Sequence, residues 1–265
     1  VLLLDDNTAT VLTVDVFAPS VDDPATFGRI AAANSVSDIY AMGAVPQAAL
    51  SIIGFPIHSL PRETMAEILQ GGIETLQAAG VPVVGGHSIN DEEVKCGFAV
   101  LGTAPARGFV TNTGARPGDA IVLTKPLGVG IVAFGHQIGR ADDAAMGEAA
   151  VSMAALNAAA GAGLQEAGAH AATDVTGFSL LGHMLEIVRS SDVAAEIDFD
   201  AIPFFGPVQE LARRDVFPGA VERNREACDP DLLDFTGLTD AQRSTLFCPE
   251  TSGGLLVFLP RERAE

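Results

Sequence analysis

The 265 residues carry 48% hydrophobic side chains, enough for one large core or two ordinary ones, and the length favours two domains. With 34 acidic residues against 15 basic ones the net charge is −19, which argues against a nucleic-acid partner, because phosphate backbones are gripped by Lys and Arg. Only Lys95 and Lys125 are lysines, so a phosphorylated ligand would need a cation; the same acidic, lysine-poor balance also suits a salt-rich cytoplasm.

The chain opens on Val1-Leu2-Leu3-Leu4, turns at Asp5-Asp6-Asn7 and continues in a strand-like stretch over 9–16, which reads as a hairpin. No basic flank or cleavage site marks a leader, so a natural amino terminus is expected upstream of Val1. Strand over 10–16, helix over 24–42, strand over 47–53, helix over 61–79 and strands over 81–85 and 96–103 then follow, an α/β pattern. The first helix is well signalled, with Asp23 as N-cap, Pro24 at its first position and Gly43 where a left-handed residue is expected. Residues 41–61 have the length of a membrane span but contain Pro46, Gly54, Pro56, His58 and Pro61, so no membrane partner is expected.

A stretch rich in Gly, Pro, Thr and Asn follows Thr103, placing the domain boundary between 1–104 and 105–265. The second half is expected to hold a strand over 120–123, an alanine-rich helix over 144–159, a strand ending near Thr173, a helix over 177–190 and a strand over 255–259. Cys96, Cys228 and Cys248 show no paired spacing, which fits packed side chains in a reducing cytoplasm better than a disulfide framework or a zinc site.

Three segments put an acidic group where a strand or helix is interrupted. Leu12-Thr13-Val14-Asp15-Val16 is an apolar strand broken by a carboxylate, which makes Asp15 a candidate magnesium ligand. Asn34 and Asp38 stand four apart on one face of an alanine-rich helix. Asp174 leaves a strand just before a helix whose first turn can present N–H groups to an anion. Each aspartate could equally cap a helix or close a turn. Gly85-Gly86-His87-Ser88, placed after a strand over 81–84, would let a backbone approach a phosphate, or would hold a packed histidine. Gly128-Val129-Gly130 imitates a dinucleotide fingerprint outside its usual context and reads as a turn. Lys125 reads as a solvated strand end, with a phosphate contact as the other option, and no GxxxxGK[ST] loop exists.

Taken in order, Thr13-Val14-Asp15, Asp22-Asp23-Pro24, Ser37-Asp38-Ile39-Tyr40-Ala41-Met42-Gly43, Gly85-Gly86-His87-Ser88-Ile89, Thr124-Lys125-Pro126-Leu127-Gly128, Thr173-Asp174-Val175-Thr176-Gly177-Phe178, Glu222-Arg223-Asn224 and Thr251-Ser252-Gly253-Gly254 resemble the selenophosphate synthetases (selenide, water dikinases) over nearly the whole chain. The resemblance implies the two-domain α/β (α+β) architecture of the aminoimidazole-ribonucleotide-synthetase-like (PurM-like) superfamily. It implies a homodimer with ATP near the subunit interface, and conversion of selenide, ATP and water into selenophosphate, AMP and phosphate with Mg2+. Asp15, Asp38, Gly86, His87 and Ser88 would then meet ATP, the last three from the partner subunit, and Asp38 and Asp174 would be metal ligands. The family's nucleophilic Cys or selenocysteine and its catalytic Lys would fall before Val1, so the chain from Val1 is expected not to complete the reaction. Departures at Ala44, Val16, Ala220, Val221 and Cys248 bear on fine specificity, and Cys248 reads as structural. Competing expectations are another ATP-dependent member of the superfamily, such as a thiamine-phosphate kinase, and a non-catalytic nucleotide-binding dimerisation module.

Overall fold

The computed structural model describes residues 1–264, which divide into two compact units. Unit 1 comprises Val1–Thr111 and Met153–Gly168; unit 2 comprises Asn112–Ser152 and the described residues from Ala169 onward.

In unit 1 a five-stranded sheet runs in the order β1 (Leu2–Leu3), β2 (Thr8–Phe17), β5 (Lys95–Pro105), β3 (Val45–Phe55), β4 (Val83–Asn90). All pairs are antiparallel except β3 with β4. Helices α1 (Pro24–Ala41) and α2 (Arg62–Ala78) pack on each other, and α1 lies against β2 and β5. Asp23 caps α1 by accepting the Thr26 N–H at 2.8 Å, and Gly43 ends it at φ 64°, as its sequence signals require. Phe27, Val36, Ile39, Ile53, Phe55, Ile68, Phe98 and Val100 form the core on that face of the sheet. The side-chain period of two sends Val11, Thr13, Asp15 and Phe17 of β2 toward the helices and turns Leu12, Val14 and Val16 away.

The alanine-rich segment expected as one helix is two: α4 (Asp143–Ala154) and α5 (Ala158–Ala167). Leu156 and Ala158 pack on the unit 1 core, and the Asn157 amide donates to the Ser37 hydroxyl at 2.9 Å. The small face of α5 fits closely against α1 at Tyr40, which a count of alanines does not reveal. Residues 153–168, which follow the 104/105 boundary in sequence, group with the first compact unit.

Unit 2 is built on a three-stranded sheet, β6 (Asp119–Leu123), β8 (Leu255–Pro260) and β7 (Ala171–Asp174) in that order, both pairings antiparallel. Around it lie α3 (Val129–Gln137), α6 (Ser179–Ser191), α7 (Val208–Arg213), α8 (Ala220–Ala227) and α9 (Asp240–Leu246). The last three are short and lack a long apolar period, so periodicity alone does not find them. Among the described residues no helix is long and apolar enough to cross a membrane.

Candidate functional site

In unit 1 the site begins with Thr13 and Asp15, two residues apart on β2 and hence on one face of the sheet. That face meets α1, which brings Asp38 alongside: the Thr13 hydroxyl donates to Asp38 Oδ2 at 2.5 Å. Asp15 faces that same carboxylate, and burial, reinforced by the Asp38 charge, pushes the Asp15 carboxyl up to about 6. Nothing cationic offsets this pair in unit 1 among the causes acting on Asp15. Asn34, one turn before Asp38, is buried, and Ser35 holds the backbone together by donating to Ala31 O at 2.8 Å and accepting the Phe98 N–H at 3.0 Å. The polar face of α1 is thus a mixture: Ser35 and Ser37 are structural, whereas Asp38 is presented beside Asp15.

A strained like-charge pair has a measurable cost. A carboxyl raised in the folded state contributes stability below its unfolded pKa and loses it as pH rises, here from about 4 through about 6. Asp15→Asn is therefore expected to stabilise the ligand-free protein above pH 6.5 by about 1–2 kcal/mol, after discounting for partial exposure. The gain should decline toward zero by pH 4. Thermal melts of both proteins across that range, without divalent cations, check this.

Gly85-Gly86-His87-Ser88 does not follow a strand as expected; it lies within β4, which runs on to Asn90. Gly86 pairs with Ser51 of β3, and a Cβ there would sit 2.1 Å from the Ser51 hydroxyl oxygen, so sheet packing alone demands a glycine. His87 and Ser88 are exposed on this strand, and His87 is not a packed core histidine.

In unit 2, Asp174 ends β7 and is only 5% exposed. Lys125, expected as a solvated strand end, is partly buried: its ammonium donates to Ser252 O at 2.9 Å. Burial lowers the Lys125 pKa to about 8, while the Asp174 charge works against that fall. Glu250, which the sequence reading missed, is 4% exposed and accepts the N–H groups of Gly128 at 2.7 Å and Val129 at 2.9 Å. Burial pushes its carboxyl up to about 8, with those two N–H groups acting in the opposite direction. It was legible in one respect, being the only charged residue between Arg243 and Arg261. Asn224 joins the same neighbourhood, its amide donating to Gly177 O at 2.9 Å and Phe247 O at 3.0 Å, and His183 Nε2 accepts the Thr176 N–H at 3.1 Å.

The three cysteines are buried. Burial pushes the Cys96 thiol up to about 12 and raises Cys228, and burial followed by the Glu250 charge raises Cys248 well above the usual range. None of the three is prepared as a thiolate nucleophile. Among the described residues no group of three or more His, Cys, Asp or Glu forms a ready metal cage.

Residues 1–104 match the AIR synthase related protein N-terminal domain, and residues 116–265 match the corresponding C-terminal domain. The chain is 43% identical over 262 residues to a selenide, water dikinase of Geobacter metallireducens, spanning 99% of this chain and 76% of that protein. A selenide, water dikinase of Carboxydothermus hydrogenoformans is 44% identical over 263 residues, with the same coverage of 99% and 76%. Among solved structures, the thiamine-monophosphate kinase of Stenotrophomonas maltophilia superposes with a TM-score of 0.72 at 19% identity, covering 97% of this chain and 76% of that one. The hydrogenase maturation protein HypE in complex with ATP gives a TM-score of 0.69 at 19% identity, with coverage of 97% and 70%. Those structures share the fold; identity above 40% across almost the whole sequence goes further, and by it this chain belongs to the selenide, water dikinase family, within the AIR-synthase-related superfamily.

Proposed function

We propose that the protein makes selenophosphate from selenide, ATP and water, releasing AMP and orthophosphate. The observation that carries this is the 40–44% identity to selenide, water dikinases over nearly the whole chain, with the Asp15–Asp38 pair falling in the shared sequence. ATP is the nucleotide; HypE in complex with ATP and a thiamine-monophosphate kinase complexed with AMPPCP have the same fold.

Asp15 and Asp38 hold the nucleotide through Mg2+. The donor set fits that ion: two carboxylates whose mutual repulsion a divalent cation relieves, in a chain of net charge −19. When bound, Mg2+ neutralises carboxylate and phosphate charge together. Thr13 orients the Asp38 carboxylate through its short hydrogen bond, so that the ligand oxygen is set before the nucleotide arrives. Asp174 serves as a metal ligand in unit 2, its burial keeping bulk water from the carboxylate.

The protein acts as a homodimer in the cytoplasm. The support is the sheet face turned away from α1 and α2, where Leu12 is 66%, Val14 59%, Leu50 46% and Val84 66% exposed. Monomeric proteins rarely leave so continuous an apolar surface uncovered. Gly86, His87 and Ser88 lie on β4 of the same sheet and reach ATP of the partner subunit. The reading is tested by whether ATP consumption by the full-length gene product requires selenide; turnover at the same rate without it would refute the reading.

A further inference from the structure

Three sequence motifs of unit 2 meet at one buried turn, residues 249–254. Glu250 reaches two of them at once: its carboxylate accepts the Gly128 and Val129 N–H groups, and its own N–H donates to Thr176 O at 3.1 Å. Around it the turn is fastened at four more points. Lys125 donates to Ser252 O at 2.9 Å, Val175 N–H to Gly254 O at 2.9 Å, Leu255 N–H to the Thr124 hydroxyl at 2.8 Å, and Gly130 N–H to Pro249 O at 3.2 Å. The fit leaves no room for side chains: a Cβ on Gly253 would lie 2.1 Å from Val175 O, and one on Gly254 2.4 Å from Lys125 N.

The first N–H groups of α3, which a glycine-rich entry would otherwise offer to an anion, are therefore satisfied by a carboxylate of the same chain. This disposes of Gly128-Val129-Gly130 as a phosphate loop and gives it another purpose. A buried carboxylate is a costly fastener, and a turn that needed only to be held could use a neutral capping residue. Here it is placed where β7 ends, against the two residues that follow Asp174: Val175 and Thr176 are both bonded to the turn, and the Lys125 and Asp174 charges act on each other.

We propose that Glu250 is a positioning residue for Asp174, locking the 249–254 turn so that the Asp174 carboxylate stands ready for Mg2+–ATP. The proposal rests on Asp174 being a metal ligand. Supports of this kind act on metal affinity, and their loss costs about 10-fold or more.

The test is a Mg2+ titration of ATP binding, reading the Mg2+ concentration at half-maximal binding. Glu250→Ala is expected to raise that midpoint about 10-fold. Glu250→Gln, which keeps the length and one acceptor oxygen, should restore most of it. Thr124→Val removes only the acceptor for Leu255 N–H; this mild change keeps the test alive where Glu250→Ala does not fold, and should raise the midpoint about 3-fold. Phe258→Leu, a core change on β8, should lower the melting temperature and leave the midpoint in place. The proposal is overturned if Asp174→Asn shifts the midpoint while the folded Glu250→Ala or Thr124→Val protein stays within about twofold of the parent. If Asp174→Asn itself shifts nothing, the ligand assignment of Asp174 fails first.

Discussion

Asp38→Ala is expected to weaken Mg2+-dependent ATP binding by about 100-fold, equivalent to roughly 3 kcal/mol, without destabilising the fold. The asymmetry follows from the site. Asp38 stands beside Asp15, whose carboxyl it helps to push up to about 6, so removing it relieves repulsion in the free protein while deleting a ligand from the bound one. Asp174→Ala, tested separately in unit 2, should also weaken binding at least 10-fold, but with a loss of stability, because Asp174 is buried and its charge acts with that of Lys125. Isothermal titrations with and without Mg2+ measure both. Equal affinities in the parent and both variants would remove the metal assignment.

The second large effect concerns the exposed sheet face. Val14 is 59% exposed and pairs across to Ala99, with Leu12 opposite Leu101 beside it, so the apolar side chains form a surface rather than isolated points. Val14→Asp would place a charge at the centre of that surface. It is expected to convert a dimer into a 27.3 kDa monomer with little change in melting temperature of the isolated chain, since nothing in its own core is disturbed. Sedimentation equilibrium distinguishes the cases; a parent protein that sediments at 27.3 kDa would contradict the homodimer.

The periodic elements were open to reading from sequence because their ends carry physical punctuation. Asp23, Pro24 and Gly43 bound α1 within a residue or so, since capping and left-handed termination are local requirements. What sequence could not give is which polar residues meet. Asp15 and Asp38 are brought together by the packing of α1 on β2, and nothing in their separation along the chain encodes it. The break between α4 and α5 escaped for the same reason: alanine has high helix propensity on both sides, and the interruption is made by Asn157 bonding to Ser37. His87 was misplaced because two glycines read as a turn, whereas Gly86 is there to let β4 press against Ser51. Lys125 and Glu250 were the subtler signals: a lone charge in a long apolar neighbourhood is either solvated or expensively buried, and only the folded chain tells which.

Phosphorus-31 spectroscopy of the reaction tests most directly whether ATP is consumed to activate selenium. With the full-length gene product, ATP, Mg2+ and selenide, the expected spectrum shows a selenophosphate resonance growing in step with AMP and orthophosphate, and no growth when selenide is left out. Accumulation of ADP, or AMP formation indifferent to selenide, would contradict it.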